Sequence, residues 1–158
     1  MSVYDRLKEL HVVLPVATSP VAAFVPTVPT GNLCFVSGHI AKQDGKPWAG
    51  QLGVNMTTAE GQRAARSIAI DLLGTLHHEL GDLERVQRIV KLFCLVNSGP
   101  EFTEQHLVAN GASELLQEIF GANGKHARSA VGVSQLPLGA CVEIELVVEV
   151  RLTDTGGG

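Results

Sequence analysis

The amino-acid sequence predicts an α+β fold in which two helices pack on one face of a single sheet. Two stretches carry apolar residues at helical spacing, and each of them ends at a glycine. Five apolar runs of strand length surround these stretches, so the predicted order is ββαβαββ. A length of 158 residues suits one domain with its own core and is short for two.

The first strands follow a short N-terminal helix. Residues 4–10 suit a helix that stops before Pro15, and residues 22–28 and 33–41 are rich in strand-forming side chains. The turn formers at 29–32 separate these two runs, which predicts a hairpin.

A capping box opens the long central helix. After a loop at residues 44–47, Thr57 and Glu60 have the spacing of reciprocal N-terminal caps, and Gly81 ends the pattern. Between these limits the apolar face of the helix is formed by Ala65, Ile68, Ala69, Leu72, Leu76 and Leu80.

The second half of the chain predicts a strand, a second helix and a closing hairpin. The strand covers about residues 88–96 and the helix about residues 103–120. Residues 128–135 and 141–151 form the arms of the hairpin, around a Leu-Pro-Leu-Gly turn at 136–139.

Composition disfavours nucleic acid and membranes as partners. The formal net charge is -4 and the 12 lysines and arginines are scattered singly, so no basic stripe can neutralise a phosphate backbone. Aromatic residues make up only 4% of the chain, too few for a base-stacking platform. No apolar run has the length of a membrane span or a signal sequence, which predicts a cytoplasmic protein.

The cysteines and histidines indicate neither a thiol nucleophile nor a metal centre. Cys34, Cys94 and Cys141 lie in apolar runs and have no cationic neighbour in sequence, which favours buried, unreactive thiols. The adjacent histidines of the central helix point apart. No ligand spacing links the remaining candidates, which are His39, His106 and His126.

The strand patterns predict that both faces of the sheet are buried. In residues 89–96 and 33–40, both alternating sets of side chains are mainly apolar. Two helices can cover only one face of such a sheet, so we expect a second copy of the chain to cover the other.

Arg128 and Glu143 stand out in the apolar closing hairpin. In a regular hairpin centred on Leu138, Arg128 lies opposite Val148 and Glu143 lies opposite Val133. The two charged side chains are then several residues apart and on opposite faces, so they could cooperate only across a subunit boundary. A bulge would shift this parity.

The same segments resemble the RidA/YjgF family of imine deaminases, also called L-PSP-like endoribonucleases. The likeness covers most of the chain from about Phe24 onward. It implies an N-terminal extension over residues 1–20 and a RidA-like domain over 21–152, and the low-complexity glycine end predicts a flexible tail over 153–158. The similar motifs are residues 127–133, the turn at 136–137, residues 142–145, the Ser-Gly-His-Ile element within 36–40, and the preceding 31–32.

The resemblance implies a chorismate mutase-like fold, a homotrimer and clefts between subunits. In such clefts the family archetype hydrolyses enamines and imines, of the 2-iminobutanoate and 2-iminopropanoate type, to 2-oxo acids and ammonia. Arg128 would hold the substrate carboxylate and Glu143 would position or activate water, with no metal or organic cofactor. The substrate-binding residues implied in the same way are Phe24, Ser37, Gly38, His39, Asn110 and, through its backbone, Ala130.

The residue chemistry suits that reaction. Guanidinium grips a carboxylate with a planar fork, whereas lysine supplies only a point charge. An imine carbon is already electrophilic, so orientation, a water and one proton-relaying acid suffice. Phe24 stands at the family's tyrosine position and Ala130 at its cysteine position, which indicates a divergent subgroup with its own substrate range.

Each site residue also has a plain structural interpretation. Arg128 can form a surface or interface salt bridge, and Glu143 can face solvent like Glu145. Ser37 can mark a bulge before a glycine, and Asn110 can be an exposed helix residue. Two functions remain beside the deaminase: a trimer that binds a carboxylate metabolite without turnover, and an endoribonuclease or translation inhibitor, which the acidic balance disfavours.

Overall fold

The computed structural model describes residues 1–18 and 22–154, and it confirms the predicted order of the main strands and helices. The predicted tail beyond residue 154 lies outside the described residues. The helices are α1 Val3–Glu9, α2 Thr58–Leu80 and α3 Gln105–Phe120, and the strands are β1 Thr27–Thr30, β2 Leu33–Ile40, β3 Lys42–Gln43, β4 Lys46–Pro47, β5 Val86–Asn97, β6 Ala127–Val133 and β7 Val142–Val150.

The predicted closing hairpin is wrong, although both of its arms are strands. The main sheet has the order β1-β2-β7-β5-β6, so β5 lies between β6 and β7. Arg128 pairs with Leu92 of β5 rather than with Val148, and Glu143 lies between Leu95 of β5 and Ile40 of β2. The two strands therefore never exchange backbone hydrogen bonds with each other.

The β5-α3-β6 segment explains this pairing. A strand followed by a helix that packs on the sheet returns most readily as a parallel neighbour of the first strand. Strand β6 runs parallel to β5 and occupies the sheet edge, so β7 pairs antiparallel on the other side of β5. The Leu-Pro-Leu-Gly segment crosses the end of β5, with Leu138 and Gly139 both at positive φ.

Helices α2 and α3 cover one face of the sheet and enclose the core. The capping box of Thr57 and Glu60 and the left-handed Gly81 bound α2 as predicted. The helices approach closely at Gly111, because a Cβ there would collide with the backbone oxygen of Gln62. The buried strand residues beneath them include Val36, Ile89, Leu92, Cys94, Ile144, Leu146 and Val148.

The opposite face of the sheet is apolar and open in the single chain. Val28 is 52% exposed, Phe35 46% and Val131 39%. Val28 and Phe35, with Phe93 and Val147, line a hollow of about 500 Å³ on this face. This is the second face for which the strand patterns predict a covering subunit.

Smaller departures lie near the N-terminus. β1 begins at Thr27, five residues later than predicted. The predicted loop at 44–47 contains the turn, 44–45, and the second strand, β4, of a short β3-β4 hairpin. Helix α1 buries Val3 and Leu7 in the core. Within the described ranges, no helix is long and apolar enough to cross a membrane.

Candidate functional site

The predicted site residues fall into two groups, and the charged residue of each group, Arg128 or Glu143, lies on a different face of the sheet. Arg128, Asn110 and Ala130 lie together on the helix-covered side at the β6 edge, and we call them the arginine cluster. The other group surrounds Glu143, whose partner Leu95 belongs to the open face, and we call it the glutamate cleft. The prediction that Arg128 and Glu143 lie on opposite faces is thus correct, although its hairpin was wrong.

Helix α3 holds the guanidinium of Arg128. Its hydrogen bonds run from Nη1 to Asn110 Oδ1 (2.8 Å) and Ser113 Oγ (3.2 Å), and from Nη2 to the backbone oxygen of His106 (3.2 Å). A guanidinium has five N–H donors, so two remain for a ligand. Among the described residues no carboxylate lies within 4.0 Å of Arg128, so its charge has no ionic partner there. The salt-bridge interpretation of Arg128 therefore finds no support within one chain.

Ser113 and His126 continue this network. Sequence reasoning missed Ser113 and considered His126 only as a metal ligand. Ser113 Oγ accepts from Arg128, so its own proton goes to Nε2 of His126 at 2.9 Å. Nδ1 of His126 donates to the backbone oxygen of Gly124 at 2.6 Å, which fixes a neutral imidazole. Burial lowers the pKa of His126, and the charge of Arg128 lowers it further. The hydrogen bond to Gly124 acts in the opposite direction but does not outweigh them. The sequence could have indicated Ser113, because it follows Asn110 by three residues and so lies on the same face of the helix.

The backbone N–H and C=O groups of Ala130 point away from β5, toward the outer edge of the sheet. The backbone oxygen of Val133 accepts from Ser98 N on the β5 side, at 3.1 Å. Alternate residues of a parallel strand direct both backbone groups to the same side, so those of Arg128 and Ala130 point to the outer edge. In the described chain β6 pairs with β5 alone, which leaves these groups accessible to a ligand.

The glutamate cleft is a cavity of about 460 Å³ at the end of β2. Glu143 lies so close to Gly38 that a Cβ at residue 38 would sit 2.5 Å from Glu143 Oε1. Burial, and secondarily the charge of Glu145, raise the pKa of Glu143, while His39 opposes them. Five of the predicted site residues line this cavity, namely Phe24, Ser37, Gly38, His39 and Glu143.

A bulge in β2 builds this cleft. The register of β2 against β7 shifts between Val36 and His39, so the interpretation of Ser37 as a bulge residue is correct. The hydroxyl of Ser37 donates to the backbone oxygen of Val25 at 2.6 Å. This bond ties down the segment that carries Phe24, whose ring is 52% exposed at the cavity wall.

His39 forms a hydrogen bond with Asp71 of α2, and sequence reasoning missed this partner. The distance from Nδ1 to Asp71 Oδ2 is 2.7 Å, and Nζ of Lys42 lies 3.9 Å from the same oxygen. Burial would raise the pKa of Asp71, but the hydrogen bond and charge of His39, with Lys42, outweigh it and lower the pKa. The signal was a lone carboxylate within the apolar repeat of α2.

The thiols are buried as predicted. Burial raises the pKa of Cys94 to about 12 and that of Cys141 to about 11, and it also raises the pKa of Cys34. Over residues 1–18 and 22–154, no group of three or more potential ligands is placed to hold a metal ion.

Comparison with known proteins bears on both the fold and the family. A family model described as "YjgF/chorismate mutase-like, putative endoribonuclease" matches residues 5–150. Protein TCP17 of Trypanosoma cruzi is 49% identical over 148 residues, which is 92% of each sequence.

Solved structures match over nearly the whole chain. Atu1372 of Agrobacterium tumefaciens, whose function is unknown, is 44% identical with a TM-score of 0.87 and coverage of 94% of this chain and 92% of that one. A putative endoribonuclease of Shewanella oneidensis MR-1 is 28% identical with a TM-score of 0.91, covering 95% and 100%. The YjgF gene product of E. coli, at 23% identity, 89% and 98% coverage and a TM-score of 0.60, matches in fold. The resemblance to RidA/YjgF proteins is thereby confirmed.

Proposed function

Because the chain belongs to the YjgF/chorismate mutase-like family, we propose that it hydrolyses imines and enamines of small carboxylic acids to 2-oxo acids and ammonia. The reaction takes place in clefts between the subunits of a homotrimer, where the arginine cluster of one chain faces the glutamate cleft of the next. No cofactor takes part, and the partner is a small carboxylate rather than a nucleic acid.

The observation that carries this proposal is the uncompensated guanidinium of Arg128. Three neutral acceptors orient it, and two N–H donors are left without a partner in the described chain. A charge held in this way, beside outward-pointing backbone groups, is suited to binding an anion. A carboxylate fills both remaining donors, and this accounts for an arginine rather than a lysine at the position.

The open face of the sheet supports the assembly. Phe35, Val28 and Val131 would be an unusually apolar surface for an isolated chain. Since Arg128 and Glu143 lie on opposite faces of one sheet, a substrate can contact both only where two copies meet.

Glu143 supplies the proton transfers for addition of water. Its carboxylate takes a proton from a water molecule as the water oxygen bonds to the electrophilic carbon of the protonated imine. The product is a carbinolamine, and Glu143 is left protonated beside its nitrogen. The raised pKa of Glu143 favours this exchange, because the side chain must accept and release a proton in one turnover.

A trapping assay tests the proposal. An L-amino-acid oxidase generates 2-iminobutanoate, and semicarbazide competes with the protein for it. We expect the protein to reduce semicarbazone formation, Arg128→Ala to abolish the effect, and Arg63→Ala, an exposed arginine of α2, to leave it unchanged. If the purified protein leaves trapping unaltered across a panel of imino acids, the deaminase proposal is wrong. Retained binding of 2-oxobutanoate would then favour the carboxylate-binding trimer.

Ribonuclease activity is the second candidate, because the family description and the Shewanella oneidensis relative carry that name. RNA cleavage that survives extensive purification and disappears in Arg128→Ala would favour ribonuclease activity over the deaminase. We expect instead that any cleavage separates from the protein during purification, since the chain carries a formal net charge of -4.

A further inference from the structure

The guanidinium of Arg128 rests on a serine that is itself held by a histidine. Nη1 of Arg128 has two hydrogens and two acceptors, Asn110 Oδ1 at 2.8 Å and Ser113 Oγ at 3.2 Å. One hydrogen of Nη2 goes to the backbone oxygen of His106, so Nε–H and the other hydrogen of Nη2 are left for a carboxylate. The direction in which these two donors point therefore depends on the acceptors behind Nη1.

His126 fixes the direction of the Ser113 hydroxyl. Its Nδ1 lies 2.6 Å from the backbone oxygen of Gly124, which can only accept, so Nδ1 carries the proton. Nε2 of the neutral ring is then an acceptor, and it takes the proton of Ser113 over 2.9 Å. With its proton directed at His126, the serine oxygen presents lone pairs to the guanidinium. A hydroxyl without such a partner is free to rotate its proton toward the cation.

The backbone around Gly124 fixes the imidazole in turn. Gly124 is buried and packs so closely on α3 that a Cβ there would collide with the backbone oxygen of Leu116. Its carbonyl is therefore a well-placed acceptor for Nδ1 of His126. Since His126 precedes β6 and Arg128 is the second residue of that strand, both side chains reach Ser113 of α3 from the same side. The loop, the helix and the strand together hold one chain of hydrogen bonds.

A serine that is bonded to a histidine can also be a nucleophile, but burial opposes that role here. Ser113 is only 5% exposed, so a substrate carbon has no path to its oxygen. The same oxygen already accepts from Arg128, and the partner of Nδ1 is a neutral carbonyl rather than a carboxylate. The pair is suited to orienting the arginine and not to attacking a substrate.

We propose that Ser113 and His126 are positioning residues of the proposed deaminase, and that they set the orientation in which Arg128 binds the substrate carboxylate. They touch neither the substrate nor the reacting atoms. Arg128 holds the carboxylate equally in the ground state and in the transition state, so loss of either residue raises KM and leaves the chemistry at Glu143 unchanged. This inference rests on the proposed function.

The experiment removes the hydroxyl with Ser113→Ala and its acceptor with His126→Leu. We expect each variant to raise KM in the trapping assay, and the Kd of 2-oxobutanoate in calorimetry, about 10-fold, while kcat changes less than about twofold. The double variant should bind no more weakly than the weaker single variant, because His126 acts through Ser113. His126→Gln has an amide oxygen that can accept the hydroxyl proton, and its KM should stay within about threefold of the wild type.

Ser67→Ala and His78→Leu are the matched controls. Ser67 of α2 donates to the backbone oxygen of Ala64 at 2.7 Å, and His78 is exposed on the same helix. Neither substitution should change KM or Kd. If Ser113 and His126 only fasten β6 to α3, their variants will lower the melting temperature without raising KM. That result would overturn the inference.

The Nε–H resonance of Arg128 gives a readout that is independent of turnover. In ¹⁵N-arginine-labelled protein it is assigned as the signal that Arg128→Ala removes. A guanidinium held by three acceptors should give a narrow signal, and Ser113→Ala and His126→Leu should broaden it while the signal of exposed Arg63 stays the same. An unchanged Arg128 signal in both variants would count against positioning even if KM rises.

The two possible failures give different results. If the wild type hydrolyses imines and Ser113→Ala changes KM and Kd by less than about twofold, the positioning role is wrong and the deaminase stands. If the wild type neither hydrolyses imines nor binds 2-oxobutanoate, the proposed function fails and the inference fails with it. If His126→Leu does not fold, Ser113→Ala decides by the same criterion. Labelling of Ser113 by a fluorophosphonate would also overturn the inference, because that reagent requires an accessible, nucleophilic serine.

Discussion

The carboxylate of Glu143 lies against a position that only glycine can occupy without displacing it. An alanine methyl group at residue 38 would approach Glu143 Oε1 to 2.5 Å, and that atom is the far end of a flexible side chain. The side chain can therefore move aside at little energetic cost, but it would lose its place in the cleft.

We predict that Gly38→Ala lowers kcat/KM by at least about 100-fold and changes stability by less than about 1 kcal/mol. Activity is measured by imine trapping and stability by urea unfolding. A fall in stability of several kcal/mol with proportionate loss of activity would mean that Gly38 serves the strand rather than Glu143.

Glu143 also predicts a conflict between activity and stability. Folding raises its pKa above the ordinary 4.5, chiefly through burial and then through the charge of Glu145, against His39. An acid with a raised pKa weakens the folded state once it ionises, so stability is lost as pH rises from the unfolded pKa through the folded pKa.

Glu143→Gln should therefore melt at a higher temperature than the wild type near pH 7.5 while losing activity about 100-fold. The difference in melting temperature should shrink as the pH falls through the folded pKa and vanish well below 4.5, where the glutamate is protonated in both states. Glu118→Gln, at an exposed position of α3, is the control and should show no such trend. A lower melting temperature for Glu143→Gln at pH 7.5 would contradict the burial that we assign to the carboxylate.

The sequence singled out individual residues but not their partners. Arg128, Ser37 and Glu143 stand in the motifs that carry the resemblance, and Asn110 was implied by the resemblance alone. Asp71 was missed because its contact with His39 spans 32 positions of the chain and depends on how α2 lies over β2. Such a contact is decided by packing and has no local pattern.

At the scale of elements, helical periodicity and caps were reliable and strand pairing was not. Helix α2 begins directly after its predicted cap Thr57 and ends directly before Gly81, because the capping box and the left-handed glycine are local signals. The pairing of β6 with β5 depends on the crossover through α3, which competes with the shorter β6-β7 connection. The alternation of side chains along a strand still showed which residues share a face, because that alternation does not depend on which strand pairs with it.

The close crossing of α2 and α3 should be sensitive to one methyl group. Gly111 abuts the backbone of Gln62, which cannot move aside as a side chain can. We predict that Gly111→Ala destabilises the protein by about 1–3 kcal/mol. It should also raise KM, because Asn110 and Ser113 flank this residue and hold Arg128.

Urea unfolding and the trapping assay measure the two effects of Gly111→Ala. Ala59→Gly, at an exposed position of α2, is the control for a glycine exchange away from the crossing. Unchanged stability in Gly111→Ala would mean that the helices can separate freely at this point.

At the scale of the whole molecule, the two halves of the site cannot meet within one chain. Arg128 belongs to the helix-covered side of the sheet and Glu143 to the open side. The sequence predicted this separation from strand parity, and the assembly that it requires is the central claim of the proposed mechanism.

Mixing two inactive variants tests that claim most directly. Arg128→Ala and Glu143→Gln are unfolded together in equal amounts, refolded and assayed by imine trapping, with each variant refolded alone as the control. If every site takes its arginine from one subunit and its glutamate from the next, random assembly restores both in about a quarter of the sites, so about a quarter of wild-type activity should return. If the mixture is no more active than the separate variants while the refolded chains are oligomeric, the site is not shared between subunits.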